Sequence, residues 1–247
     1  MRALAIGLAT APLAFGAAAA QNVDVLVEDR IALEDWSYAD LYAGKSWRAQ
    51  QLLGAPVTGR DDTDEAIGEV ANILVDGNGY VEAVLADVGG IVDVGETRLR
   101  VPWDALTVDF GGERPSVAIP VVEDSIERFN LFAGTDGELQ LVEPDAPELQ
   151  RTWRVTELID DYVVLADGGR YGWVDDVVVG GDGLVQAVIV GAVGGPGPAH
   201  PYAYPFYGYE QGYRPGRNYY AVPYDAAEVT RLEPVELDKI VPSDAAG

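Results

Sequence analysis

Short stretches of alternating apolar and polar residues, separated by glycine-rich turns, run through much of the chain. In one of them, Val81, Ala83 and Leu85 lie on one face of the extended backbone and Glu82 lies on the other. A period of two with a single apolar face predicts a β-strand packed on a core. The preceding residues 76–79, Asp-Gly-Asn-Gly, favour a hairpin turn because glycine and asparagine tolerate positive φ. The pattern therefore predicts mainly β-structure.

The chain contains an internal repeat. Five blocks recur in the same order: Trp47-Arg48 with Trp153-Arg154, Ile67-Gly68-Glu69-Val70 with Tyr171-Gly172-Trp173-Val174, Val81–Leu85 with Val185–Ile189, Gly89-Gly90 with Gly194-Gly195, and Val101–Ala105 with Val222–Ala226. The separation is 104 to 106 residues for the first four blocks and 121 for the last. Self-similarity of this kind indicates two copies of one structural unit. The larger final separation predicts an insertion of about sixteen residues in the second copy.

Each copy is expected to fold as a small β-barrel. Short strands with glycine turns between them are typical of such barrels. Val84 and Val188 interrupt the alternation, as expected where a barrel or a neighbouring module also covers the second face of the strand. Helix signals are few and short, at Asp124–Phe132 and Ala226–Val229. The predicted fold class is mainly β, with two tandem small antiparallel β-barrels and short helical segments.

The turns and strand ends of the first copy resemble those of a known family. The motifs are Leu53-Gly54-x-Pro56-Val57, Ile67-Gly68-x-Val70, Asp76-x-x-Gly79, Gly89-Gly90 and Val101-Pro102-Trp103. In this order they resemble the PRC-barrel family, a module shared by the photosynthetic reaction-centre H subunit and a ribosome-maturation factor. The similarity covers residues 46–125 and, more loosely, 150–235, where Asp160-Asp161 replaces the Gly-x-Pro step and Tyr224 replaces the tryptophan. The resemblance implies a small, partly open antiparallel barrel that serves as a docking surface, without catalytic residues.

The N-terminus has the three parts of a secretory signal peptide. Met1 and Arg2 give a positive start, residues 3–15 are apolar, and Ala18-Ala19-Ala20 precedes the polar Gln21. We therefore expect cleavage after Ala20 and export to the periplasm, without lipid attachment because the chain has no cysteine. The alternative, a retained membrane anchor, is disfavoured because alanine and glycine are only weakly apolar. No later segment has the length and hydropathy to cross a membrane, so none is expected to insert after cleavage.

The charge balance narrows the classes of partner. The chain has 41 Asp and Glu against 16 Lys and Arg, which gives a net charge of −25 at pH 7. Proteins bind phosphate backbones by neutralising them with Lys and Arg, so nucleic acid is disfavoured, as are anionic lipid surfaces. The charge otherwise confers solubility. The absence of cysteine rules out disulfides and thiolate metal sites.

Residues able to support catalysis are scarce. His200 is the only histidine and lies in a proline-flanked stretch, and no serine has the Gly-x-Ser-x-Gly context of a nucleophile. One histidine without cysteine cannot supply a zinc site. Neither enzymatic activity nor a cofactor is predicted.

One acidic cluster is a candidate cation site. Asp61, Asp62, Asp64 and Glu65 place four carboxylates within five positions of the first copy. Calcium prefers oxygen ligands of this kind, but the spacing is not that of an EF-hand loop. A polar hairpin loop on a generally acidic protein is the favoured interpretation.

The predicted insertion in the second copy is rich in aromatic residues. Pro196–Arg217 carries, among several prolines and glycines, Tyr202, Tyr204, Phe206, Tyr207, Tyr209 and Tyr213. Proline and glycine oppose regular structure, so an extended loop is predicted. Tyrosines on a loop supply a large amphipathic contact area, which suits binding of a partner protein. Alternatively, the rings cover an open barrel edge or the gap between the modules, or stay disordered.

The tryptophans are interpreted as structural residues. Trp47, Trp103 and Trp153 occupy matched strand or turn positions and are expected to pack in the barrel cores. Three further aromatic residues precede the first copy and are expected to strap the chain onto the first barrel: Trp36, Tyr38 and Tyr42.

These observations predict a complete organisation for the chain. Its parts are a signal peptide (1–20), a pre-module segment (21–45), a first barrel (46–125), a linker (126–149), a second barrel (150–235) with an aromatic insertion (196–217), and a tail (236–247). The favoured function is a periplasmic interaction or scaffold protein that docks another envelope protein. The alternative is binding of a small ligand or a cation such as calcium, in the cleft between the modules or at the acidic cluster.

Overall fold

The computed structural model of the chain describes residues 30–60, 65–89, 97–112, 114–120, 140–141, 152–191, 200–208, 212–214 and 216–242. The predicted signal peptide and the predicted helix Asp124–Phe132 lie outside the described residues.

The described residues in the first half of the chain form eight short strands. They are β1 (Trp47–Arg48), β2 (Pro56–Gly59), β3 (Ala66–Val75), β4 (Val81–Val88), β5 (Thr97–Pro102), β6 (Thr107–Asp109), β7 (Ser116–Ile119) and β8 (Gln140–Leu141). Strands β2 to β8 form one sheet in the order β6-β7-β2-β3-β4-β5-β8. A four-residue helix α1 (Ala49–Leu52) follows β1, and a 3-10 turn (Trp103–Ala105) follows β5.

In the second half, the part of the chain that the structure describes repeats this arrangement with six strands. They are β9 (Trp153–Arg154), β10 (Tyr162–Val164), β11 (Arg170–Val179), β12 (Val185–Gly191), β13 (Tyr202–Pro205) and β14 (Tyr219–Ala221). Strands β10 to β14 form the second sheet in the order β13-β12-β11-β10-β14. Its short helices are α2 (Val155–Leu158) and α3 (Ala226–Val229), and a 3-10 turn (Leu237–Lys239) lies near the C-terminus.

The two sheets follow the same path. Strands β2, β3, β4, β5 and β7 correspond to β10, β11, β12, β13 and β14, with one parallel pair in each sheet, β2 with β7 and β10 with β14. Five strands that run alternately up and down close with the first and last in the same direction, which explains the parallel pair. The mainly β fold with two tandem barrels is therefore confirmed, with one parallel pair added to each antiparallel barrel.

The two copies exchange their first strands. Strand β1 of the first copy pairs with β11 of the second, and β9 of the second copy pairs with β3 of the first. At the first junction, between β1 and β11, the register is Trp47↔Val179 and Arg48↔Val178. At the second junction, between β9 and β3, it is Trp153↔Val75 and Arg154↔Leu74. Each sheet is thus completed by a strand from the other copy.

The hairpin turns of the two long strands also meet. The Val81 amide donates to the Gly183 carbonyl at 2.9 Å, and the Val185 amide donates to the Gly79 carbonyl at 2.8 Å. Because the strand pairing and the hairpin hydrogen bonds of one copy recur with the roles reversed, the copies are related by an approximate two-fold axis. This axis passes close to the isolated bridge between Tyr80 and Leu184.

The two barrels share one hydrophobic core. A single cluster of buried side chains extends from Leu52 and Ile73 in the first copy to Leu158 and Val177 in the second. Val84 and Val188 are fully buried, as expected for strands that are covered on both faces. A continuous core means that the two modules should unfold in one cooperative transition.

Replacement of Gly68 by valine should destabilise the first barrel by about 3 kcal/mol or more. A Cβ atom at Gly68 would lie 2.1 Å from the carbonyl oxygen of Asp87 and 2.8 Å from Cα of Val88, both on the paired strand β4. Backbone atoms of a central strand cannot move aside without breaking the ladder. Urea denaturation measures the loss, and Glu69→Val, at an exposed position of the same strand, is the control. Equal stability of the two variants would contradict the argument.

Candidate functional site

The segment predicted as an extended loop, Pro196–Arg217, contains strand β13 (Tyr202–Pro205). This strand pairs antiparallel with β12, with Tyr204 opposite Val188. The loop prediction is therefore wrong for these residues. Proline is accommodated because β13 lies at the edge of the sheet and Pro205 is its last residue, so the missing N–H breaks no interior hydrogen bond.

The strand register also shows that the sequence alignment of the last block is wrong. Val101 of β5 lies opposite Val84 of β4, just as Tyr204 lies opposite Val188. Tyr204-Pro205-Phe206 is therefore the structural counterpart of Val101-Pro102-Trp103. The block Val222-Pro223 follows β14 as Ile119-Pro120 ends β7, by the parallel pairs with β10 and β2. Both pairs of counterparts are 103 residues apart, so over these residues the second copy carries no sixteen-residue insertion.

The aromatic residues proposed for partner binding pack largely inside the second barrel. Tyr204 and Tyr213 are 0% and 1% exposed, whereas Tyr202, Phe206 and Tyr207 are half-buried. Tyr209 lies outside the described residues. Buried rings cannot form a contact surface in the folded chain, so Tyr204 and Tyr213 support the structural alternative, in which the rings fill and cover the barrel.

Two matched groups of aromatic rings surround the exchanged strands. Trp47 of β1 stacks on Trp103 at a centroid distance of 5.3 Å and also contacts Phe110 at 6.2 Å. Trp153 of β9 contacts Phe206 at 5.7 Å and Tyr213 at 4.7 Å. Phe206 and Tyr213 lie 103 residues after Trp103 and Phe110, so the two groups are equivalent. Trp47 and Trp153 are buried, as predicted for core residues, and each fixes the strand that its copy lends to the other.

The pre-module segment packs on the second barrel, which corrects the prediction that it straps onto the first. The Trp36 indole N–H donates to the Ala203 carbonyl at 2.8 Å, and the Tyr38 hydroxyl donates to the Glu233 carbonyl at 2.9 Å. Tyr42 accepts a hydrogen bond from the backbone amide of Glu236 at 2.8 Å. The reason is the strand exchange: β1 joins the second sheet, so the residues just before it emerge beside the second barrel.

The same segment closes the free edge of the second sheet. Ala203 of β13 corresponds to Arg100 of β5, whose neighbour across the sheet edge is Gln140 of β8. At Ala203 the outward carbonyl instead binds Trp36, and the outward amide donates to the Tyr38 hydroxyl at 3.3 Å. Side chains thus do at one edge what a two-residue strand does at the other, and both edges are protected from pairing with another chain.

Two tyrosine hydroxyls hold the first described residues of this segment, Arg30 and Ile31. The Ile31 amide donates to the Tyr207 hydroxyl at 3.1 Å, and the Tyr224 hydroxyl donates to the Ile31 carbonyl at 2.9 Å. Arg30 forms an ion pair with Glu228 at 2.9 Å. Burial raises the pKa of Tyr224 well above its ordinary range, so the hydroxyl remains a neutral donor. These tyrosines hold the backbone in place.

A buried ion pair lies at the first junction. Asp176 of β11 is 3% exposed; its Oδ2 lies 3.1 Å from the Arg48 guanidinium, and its Oδ1 accepts from the backbone amides of Gln50 and Val177 at 2.9 and 2.8 Å. Burial raises the pKa of Asp176 to about 6, although these hydrogen bonds and Arg48 oppose the rise. Gln50 belongs to the first turn of α1, so a residue of the second copy satisfies an otherwise free amide of this helix.

The second junction has the same design with a neutral residue. Asn72, which corresponds to Asp176, donates from Nδ2 to the Thr156 hydroxyl at 2.6 Å and accepts from the Thr156 amide at 3.4 Å. Both long strands have a bulge just before this position, which directs the side chain towards the helix of the other copy. Sequence reasoning missed Asn72 and Asp176, although a polar residue just before the apolar end of both long strands was a usable signal.

Besides Asp176, a second buried carboxyl group distinguishes the second barrel from the first. Asp161 is 8% exposed, and its Oδ2 has no hydrogen-bond partner. Burial, and secondarily the nearby Glu157, raises the pKa of Asp161 to about 7. The preceding Asp160 has φ of +72° where the first copy has Gly54 at +69°, which Asp tolerates better than most residues. Asp160-Asp161 thus keeps the backbone turn of the Gly-x-Pro step while placing a titratable group where the first copy has alanine.

The candidate cation site falls largely outside the described residues. Of its four acids only Glu65 is described, and it is exposed. No group of three or more His, Asp or Glu side chains among the residues that the structure describes could hold a metal ion. The calcium hypothesis therefore stays untested. Within the residues that the structure describes, no helix is long and apolar enough to span a bilayer.

Comparison with known proteins is consistent with this architecture. The model of the PRC-barrel domain matches residues 46–123 and again residues 152–230, which together make up more than half of the chain. A comparison with curated proteins found no significant match. The matched segments coincide with the two barrels, each beginning at its exchanged strand. The chain therefore belongs to the PRC-barrel family, with two copies of the domain in tandem.

Proposed function

We propose that this protein is an exported, non-catalytic interaction protein that docks another protein of the cell envelope through the outer surfaces of its paired modules. Membership of a family of non-catalytic interaction modules supports the general role. The observation that carries the proposal is the single packed core: Trp47, Trp153 and the rings around them fill the region between the modules. A filled interior leaves the outer surface for function.

The charge of the chain indicates the chemistry of the partner. The net charge of −25 favours association with a basic protein surface, since complementary charge speeds encounter and rejects acidic partners. Exposed carboxylates occur on both copies, for example Glu69 and Asp104 on the first and Asp167 and Asp238 on the second. The half-buried Tyr202, Phe206 and Tyr207 contribute at most the margin of such a surface.

Export is part of the proposal and rests on the sequence of residues 1–21. The mature chain should begin at Gln21 or within one or two residues of it, because Ala18-Ala19-Ala20 provides small residues at the cleavage site. Intact mass of protein recovered from the periplasm measures the cleavage point. A mass that retains Met1 to Ala20, or protein confined to the cytoplasm, would contradict export.

Capture from an envelope extract tests the docking role. Tagged mature protein should retain a partner that untagged protein competes off, and retention should fall steeply as salt rises, because the screening length shortens from about 8 Å at 0.15 M to about 3 Å at 1 M. A variant with Glu65, Glu69 and Asp104 changed to lysine should lose part of this retention if they contribute. The matched control changes the same residues to glutamine. Retention that is unchanged by untagged competitor, by salt and by charge reversal argues against a docking partner of this kind.

A further inference from the structure

The contacts between the two copies are those of a dimer. Each copy donates a strand and a helix, residues 46–53 or 152–159, to the sheet of the other copy. In both directions the donated segment places a buried tryptophan, Trp47 or Trp153, into the common core. An isologous interface of this kind is what two-fold dimers use.

We propose that each long strand carries a recognition site for the strand–helix segment of a second module. Within one chain the other module occupies this site, and the partner that the site accepts from outside the chain is a second copy of this chain. The site consists of the end of the long strand, at Leu74–Val75 or Val178–Val179, together with the helix-binding residue Asn72 or Asp176. This site binds three parts of the donated segment: the backbone of its strand, the indole ring of its tryptophan and the first turn of its helix. This inference is independent of the envelope partner proposed above.

The connection between the modules is therefore a tether rather than the source of their association. A tether only raises the local concentration of two groups that already bind. Strand pairing at both junctions, the meeting of the two hairpins through the Val81 and Val185 amides, and the shared core remain when the tether is cut. The same contacts can form between chains, which is the basis of domain swapping.

The first junction carries a charge that the second lacks. Arg48 meets the buried carboxylate of Asp176, whereas the equivalent position on the first copy is the neutral Asn72. Removing or reversing one member of a buried pair leaves the other charge without its partner in a site shielded from water. Arg48→Glu should therefore weaken the pairing of the two modules, and Arg114→Glu, at an exposed arginine outside the exchanged segments 46–53 and 152–159, is the matched control.

The experiment uses the folded full-length mature chain with a protease site introduced within residues 142–150, which lie outside the described residues. After cutting, the two fragments should co-elute on size exclusion at micromolar concentration, with the mass of one intact chain by light scattering. Mixing 15N-labelled and unlabelled cut protein through urea and refolding should yield mixed-label pairs in native mass spectra. Uncut protein refolded at high concentration should contain a dimer fraction.

The variants then test the recognition site. Fragments of cut Arg48→Glu should dissociate at least about tenfold more readily than those of the parent or of Arg114→Glu. Fragments that separate or unfold on cutting, or that refold without forming mixed-label pairs, would overturn the proposal. So would an Arg48→Glu variant that folds normally before cutting and shows the same fragment affinity as the control.

Discussion

Replacement of Trp153 by alanine should destabilise the whole chain by about 3–5 kcal/mol, in one transition, and not the second module alone. Trp153 is 0% exposed and lies against Phe206 and Tyr213, while its backbone pairs with Val75 of the first copy. The lost side chain therefore leaves a cavity in a core that both modules share. Trp47→Ala, at the equivalent position of the other junction, should have an effect of the same size.

Chemical denaturation followed by tryptophan fluorescence and by far-UV circular dichroism measures this effect. Trp173→Ala is the control, because Trp173 is half-buried and packs edge-on against Tyr162, a residue of the same sheet. The control should cost less than either junction variant. Two separate transitions in Trp153→Ala, with the first barrel as stable as in the parent, would show that the cores are independent and would contradict the shared-core argument.

Stability should fall as pH rises from 5.5 to 7.5, opposite to the usual trend for proteins rich in paired carboxylates. The pKa of Asp176 is raised from 3.8 to about 6 and that of Asp161 to about 7 in the folded chain. Between 3.8 and these values the folded state binds more protons than the unfolded state, so stability is lost as each group ionises. For Asp176 this loss is on the order of 1 kcal/mol over the stated interval. Asp161 acts in the same direction.

Denaturation midpoints measured at several pH values test this dependence. All pH values stay above the isoelectric point of about 4.1, where the chain loses the net charge that keeps it soluble. Asp176→Asn should flatten the dependence while keeping the backbone hydrogen bonds, as Asn72 does at the other junction. Asp161→Asn should flatten it further. Asp182→Asn, at an exposed turn, is the control for the general effect of net charge. A slope that responds equally to all three variants would assign it to net charge and not to burial.

The proposed docking role is assigned to surfaces outside the buried part of the aromatic segment. The sequence pointed to this segment because tyrosine, glycine and proline together are typical of binding loops. The structure places Tyr204 opposite Val188 within a sheet and buries Tyr213 against Trp153. The structure instead draws attention to three residues at the junctions between the modules: Arg48, Asn72 and Asp176.

Local pattern alone determined much of this fold. Alternation in residues 81–85, the Asp-Gly-Asn-Gly turn and the recurrence of Trp-Arg and Gly-x-Val predicted two copies of one small barrel, because these features depend on neighbours within a few residues. The assignment of the last strand failed for the same reason. Val222-Pro223-Tyr224 is a closer local match to Val101-Pro102-Trp103 than its true counterpart, Tyr204-Pro205-Phe206. Only the pairing with β12 distinguishes the two.

The exchange of β1 and β9 could be decided only by the tertiary structure. A two-residue strand carries almost no propensity of its own, and its own sheet and the neighbouring one offer long strands with nearly the same burial pattern. The choice depends on burying Trp47 and Trp153 in a common core and on the first-turn hydrogen bonds from Asp176 and Asn72. The attachment of the pre-module segment to the second barrel follows from that choice. The hydrogen bonds at the junctions join residues 84 to 128 positions apart, and their energies are fixed by the packed three-dimensional arrangement and not by any local pattern.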